Sequence, residues 1–131
     1  MRPRLPNIAV ALLVAAPLAF TACGSSGGSA SSGTVPANPN FTVIGEDIYF
    51  DQKAYTAPSG NLVVKFDNQG LQGHSMLFRD SNGKKVPGFR LVATPGQAVG
   101  GTVTLPAGTY TMYCDIPGHE AAGMHSTVTI P

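Results

Sequence analysis

The stretch YCDIPGHEAAGMHS, residues 113–126, gathers a cysteine, two histidines and a methionine. Four residues separate Cys114 from His119, and four more separate His119 from Met124. Thiolate, imidazole and thioether are soft or intermediate donors. Copper is the ion that uses all three together, with two imidazoles and a thiolate in a plane and a weak, long thioether on the axis. Cys114, His119 and Met124 offer three of those four donors, so a second imidazole must come from another histidine. The chain has three in all. His125 directly follows Met124 and should begin a strand pointing away, which leaves His74, at the head of HSMLF, as the candidate. Four protein donors leave little room for a substrate, whereas catalytic metal sites keep an open position. Ser75 adjoins His74 in sequence, but a hydrolytic triad needs an oriented base and an oxyanion site, and adjacency supplies neither. One-electron exchange between Cu(I) and Cu(II) is the chemistry that remains.

Such donors need a rigid frame. From Phe41 onward no segment has a convincing helical period. Val, Ile, Thr, Phe and Tyr recur in short runs broken by Gly, Pro, Asn and Asp, the pattern of a sandwich or barrel. FTVIGEDIYF alternates and then breaks at Gly45. NLVVKFDN places Leu62, Val64 and Phe66 on one face, and HSMLFRD places His74, Met76 and Phe78 on one face. Met76 and Met112 alternate with their neighbours and belong to the core. Asn82-Gly83 suits a hairpin turn. VPGFRLVA contains Pro87 and should be an edge or irregular piece. GGTVTL, GTYTMYC and HSTVTI complete an expected seven or eight short strands, all-β, in an antiparallel two-sheet sandwich. The strand ending at Cys114 and the strand starting near His125 form the final hairpin, and the donor-rich loop joins them.

The rest of the chain places this domain outside the cytoplasm. Residues 1–22 read as an export signal, with Arg2 and Arg4 ahead of a short apolar run containing Pro17. That run is too short to span a bilayer comfortably. LAFTAC puts the small Ala22 before Cys23 and resembles a bacterial lipoprotein cleavage box, with Phe20 where leucine is usual, so lipidation of Cys23 is expected. Stable anchoring then requires more than one acyl chain on that residue. Residues 23–40, GSSGGSASSGTVPANPN after Cys23, hold no large apolar side chain except Val35 and are expected to be a tether. Residues 41–131 form the folded domain, with six Lys/Arg against seven Asp/Glu. That balance argues against a nucleic-acid partner, which calls for a basic surface. The two cysteines are Cys23 and Cys114. With Cys23 lipidated, Cys114 has no disulfide partner, and a lone thiol in an exported protein asks for a reason such as a metal, deep burial or catalysis.

NQGLQGHSMLF followed by LPAGTYTMYCDIPGHEAAGM resembles the cupredoxins, the small blue copper proteins related to plastocyanin and azurin. The likeness covers about residues 41–131. It implies a Greek-key β-sandwich holding one type 1 copper ion. By the same resemblance, His74, Cys114 and His119 form the copper plane, Met124 is axial, and the carbonyl of Gly73 is a weak further contact. Many members carry asparagine after the first histidine, tying the two ligand loops together. Here Ser75 stands there, and its hydroxyl offers a shorter version of that bond. The resemblance also implies that the edge of His119 is the electron port. Around it Pro117, Gly118, Ala121, Ala122 and Gly123 are small enough either for a flat apolar docking patch or simply for a tight loop, and Glu120 adds a charge that would bias the choice of partner.

The expected function is therefore that of an electron carrier, not an enzyme. It would be lipid-anchored to the outer face of the cell membrane or in the periplasm, and would serve redox proteins such as cytochromes or a terminal oxidase. Two other readings remain open at this level. One is a copper-binding lipoprotein that stores, buffers or delivers the ion. The other is a metal-free adhesion module, for which Cys114→Ser would change neither metal content nor stability.

Overall fold

A computed structural model describes residues 33–131. The export signal, Cys23 and residues 24–32 lie outside the described residues. Nine strands and no helix occur among the described residues. One sheet has the order β2-β1-β4-β7, from Tyr49–Phe50, Phe41–Glu46, Gly60–Asn68 and Ala98–Leu105. The other has the order β3-β9-β8-β5-β6, from Ala54–Thr56, His125–Ile130, Gly108–Tyr113, His74–Asp80 and Leu91–Ala93. This is the all-β sandwich expected, with more strands than expected because FTVIGEDIYFDQKAYT divides into β1, β2 and β3.

Alternation drives the packing. Leu62, Val64 and Phe66 of β4 are fully buried, while Asn61, Val63, Lys65 and Asp67 of the same strand are not. Each such core side chain contributes about 1.5–3 kcal/mol through burial. Aromatic contacts knit the core: Phe41 of one sheet meets Tyr55 of the other edge-on at 5.5 Å between centroids, Phe50 meets Phe66 edge-on at 6.1 Å within one sheet, and Phe78 meets Phe89 at a tilt at 5.4 Å. β5 departs from simple alternation. Its residues from His74 to Phe78 are all buried, so it is covered on both faces where the candidate donor sits.

The sandwich is not wholly antiparallel. β1 runs parallel to β4, and β3 runs parallel to β9. A parallel pair needs a long crossover, normally a helix. Here residues 47–59 make it, passing through β2 and then β3, which belongs to the opposite sheet. The expected hairpin at Asn82-Gly83 is present: Gly83 N–H donates to Asp80 O, and Arg79 bridges Lys85. VPGFRLVA resolves into an irregular run and the short edge strand β6, as Pro87 suggested. Residues 33–40, assigned to the tether from composition, lie against the first sheet. Gly33 bridges Gly100 of β7, and the Asn40 side chain bonds Asn61 O and Val63 N.

Candidate metal centre

β5 and β8 are antiparallel neighbours, with Leu77 opposite Tyr113. The start of one therefore lies beside the end of the other, which brings His74 and Cys114 to the same pole. The loop between β8 and β9 returns across that pole in a series of tight turns. His119 N–H donates to Ile116 O, Met124 N–H to His119 O, and Cys114 N–H to Met124 O. Gly118 and Gly123 adopt φ of 86° and 113°, a region that other residues rarely enter, so the loop can close this tightly. The backbone of Met124 is thus bonded to both Cys114 and His119.

His74, Cys114 and His119 each aim a ligand atom into one place, all within 4.8 Å of one another. His74 Nδ1 lies 3.1 Å from His119 Nδ1, and Cys114 Sγ lies 3.7 Å from His119 Nδ1. Donors standing about 2.0–2.3 Å from a first-row metal ion are roughly 3–4 Å apart, so the spacing fits one ion. The donor set, two imidazoles and a thiolate, suits copper. His74 and Cys114 have no exposed surface, and His119 is 7% exposed. Burial of Cys114 and its free state match the lone thiol seen in the sequence.

Met124 is fully buried directly before β9. Its methyl carbon would lie 3.5 Å from a Cβ placed on Gly45, so its side chain reaches toward β1. Gly73 is partly buried beside His74. His125 is exposed, opens β9 and pairs with Tyr113, outside the donor cluster.

Two acidic residues that carried no signal in the sequence organise the donors. Asp47 Oδ1 lies 2.8 Å from His74 Nε2, and the same carboxylate accepts the N–H groups of Leu71 and Gln72. The Leu71 amide, then His74, hold this carboxyl below its ordinary range. A carboxylate only accepts, so Nε2 of His74 carries the proton and Nδ1 presents its lone pair inward. Gly70 leaves space for this contact, because a Cβ there would meet Asp47 Oδ1 at 2.3 Å and His74 Nε2 at 3.0 Å. Asp47→Asn is expected to weaken copper binding about 10–100-fold in a chelator competition. Gly70→Ala should act in the same direction, and unchanged affinity in both variants would refute this role for Asp47.

The second acidic residue is Asp115. Ser75 N–H donates to Cys114 Sγ at 3.3 Å, and Asp115 N–H donates to Ser75 Oγ at 2.9 Å. The Ser75 hydroxyl donates to Asp115 Oδ1 at 2.6 Å. Arg90 grips the same carboxylate through Nε and Nη2, and this pair, with Ser75, holds the Asp115 carboxyl below its ordinary range. Ser75 thus does tie the two ligand loops together, with Asp115 and Arg90 as partners. On the neighbouring surface Arg79 stacks over the Tyr113 ring, 4.7 Å from its centroid, and pairs with Glu120 of the ligand loop.

Comparison with known proteins agrees with this fold. Auracyanin from the photosynthetic bacterium Roseiflexus castenholzii, reduced with dithionite, superposes with a TM-score of 0.62 at 21% identity, covering 73% of this chain and 99% of that one. Auracyanin B gives 0.55 at 22% identity over 76% and 95%. A purple cupredoxin from Nitrosopumilus maritimus gives 0.54 at 20% identity over 69% and 98%. Likeness at this identity concerns the fold. The sequence itself matches the copper-binding proteins of the plastocyanin/azurin family over residues 37–131. With His74, Cys114 and His119 forming a site for one copper ion, the chain belongs to the plastocyanin/azurin family of copper-binding proteins.

Proposed function

We propose that the protein is a membrane-tethered blue copper protein that carries single electrons between redox partners outside the cytoplasmic membrane. The observation that carries this reading is the buried His74–Cys114–His119 cluster, whose donor atoms stand within 4.8 Å of one another on a two-sheet frame. Copper held there supplies the one-electron Cu(I)/Cu(II) couple. Met124 would be the axial donor, and the Gly73 carbonyl a weak further contact. His119 is the one donor of the three with exposed surface, and Pro117, Gly118, Ala121 and Ala122 around it are exposed and small. That collar would serve as the docking face for a cytochrome or an oxidase. The export signal and Cys23 support a lipid anchor beside the membrane.

Loading with Cu(II) should produce an intense visible thiolate-to-copper band that dithionite bleaches and an oxidant restores. In stopped flow, the reduced protein should pass its electron to a c-type cytochrome faster than it passes its ion to a copper-free acceptor. A colourless Cu(II) form would sink the reading, and rapid ion transfer without electron transfer would favour storage or delivery. Cys23→Ser should move the protein from the membrane fraction to the soluble one.

A further inference from the structure

We propose that Asp115, held in place by Arg90, captures the Ser75 hydroxyl proton and so limits the Cys114 thiolate to one hydrogen bond from residue 75 where two are within reach. The proposal rests on Cys114 being a copper ligand. Ser75 is fully buried, and its hydroxyl oxygen lies 3.4 Å from Cys114 Sγ, close enough to donate. A hydroxyl has a single proton. That proton goes to Asp115 Oδ1 at 2.6 Å, the shorter contact and the one to a carboxylate oxygen. The thiolate keeps the backbone N–H of Ser75 at 3.3 Å. The arrangement is poised, because Asp115 N–H fixes Ser75 Oγ at 2.9 Å independently of the carboxylate. Removing the carboxylate leaves the oxygen where it is and frees the proton to turn toward sulfur.

Hydrogen bonds to the ligand sulfur tune the potential of such a site. A bond gained by the thiolate draws electron density from it and favours the reduced ion. Arg90 contributes by orientation. Its Nε reaches Asp115 Oδ2 at 2.9 Å and its Nη2 reaches Oδ1, the oxygen that also accepts from Ser75, at 2.8 Å, and this fork fixes the orientation of the carboxylate. Asp115 and Arg90 are thus positioning residues that act on the thiolate through Ser75.

The test is a double-mutant cycle read by redox titration and by the energy of the thiolate-to-copper band. Asp115→Ala should shift the equilibrium with a fixed mediator about tenfold toward reduced protein, the size expected when one charge-assisted hydrogen bond is gained, and move the band to higher energy. Asp115→Asn, which preserves shape and folding, should move both in the same direction by less. Ser75→Ala alone should leave the band near its wild-type energy, because its hydroxyl does not donate to sulfur. In the Ser75→Ala background, Asp115→Ala should no longer move the band, and its shift of the redox equilibrium should shrink to the part due to removing a charge near the ion. A band shift from Asp115→Ala that survives undiminished in that background, or a large band shift from Ser75→Ala alone, overturns the proposal. A wild-type protein lacking the band overturns the copper-ligand reading and this proposal with it.

Discussion

Cys114→Ser is expected to abolish the visible band of the Cu(II)-loaded protein while leaving the sandwich folded. The band needs a thiolate, because the electron that moves on excitation comes from sulfur, and serine offers a hard oxygen that stays protonated near neutral pH. The loss should therefore be complete, not graded. Affinity should fall by more than the roughly 10–100-fold typical of losing an outer hydrogen bond to a ligand, since a bonded donor is removed. Stability of the copper-free protein should change little. Serine is close to cysteine in shape, and Ser75 N–H, now 3.3 Å from Sγ, remains to satisfy the buried hydroxyl. The residual effect is on the order of 1 kcal/mol. Absorption, electron paramagnetic resonance and thermal melting of the variant decide the matter together. An intense band that persists would mean that Cys114 is not a ligand.

Phe66→Ala is expected to have the largest effect on stability, about 3–5 kcal/mol in chemical denaturation. Phe66 has no exposed surface and lies on β4, which is flanked by β1 and β7. Its ring packs edge-on to Phe50, and a Cβ placed on Gly45 would touch its Cε2 at 2.9 Å. The alanine cannot fill that volume, and backbone on two sides restrains collapse. A domain of this size is typically stable by about 5–15 kcal/mol, so roughly a fifth or more of its stability is at stake. The midpoint of thermal unfolding should fall by about 15–30 °C. Because the Met124 methyl also reaches Gly45, the cavity would open beside the side chain proposed as axial ligand. Electron paramagnetic resonance of the copper form should then broaden. A fall of less than 1 kcal/mol would show that the core repacks freely around this position.

Cys114 and His119, two of the three clustered side chains, were legible in the sequence because they fall within one hairpin loop, where spacing along the chain stands in for spacing in the fold. His74 followed from the scarcity of histidines and from resemblance. Asp47 and the Asp115–Arg90 pair were not legible. Asp47 acts on His74 across 27 positions, and Arg90 reaches Asp115 across 25. An aspartate before Ile48 or after Cys114 looks like any turn residue until tertiary structure brings its partner near. Strand content was readable from β-branched and aromatic runs, but pairing direction was not. Alternation records which face of a strand is buried and is the same whether its neighbour runs parallel or antiparallel. The parallel pairs β1–β4 and β3–β9 were therefore invisible, and so was the division of residues 49–56 into β2 and β3, strands too short to show a period.

The edges of the two sheets bear on how copies of this protein live side by side. An open edge strand offers unpaired N–H and C=O groups to the next molecule and invites aggregation, which very short strands, proline and covering segments suppress. Three of the four edges here, β2, β3 and β6, are only two or three residues long. β7 alone is long, with eight residues. Along it Gly33 accepts the N–H of Gly100, and Pro36 packs against the same glycine. The segment read as tether thus also guards the one edge able to template a neighbour. Such a guard matters most where many copies of a chain crowd together.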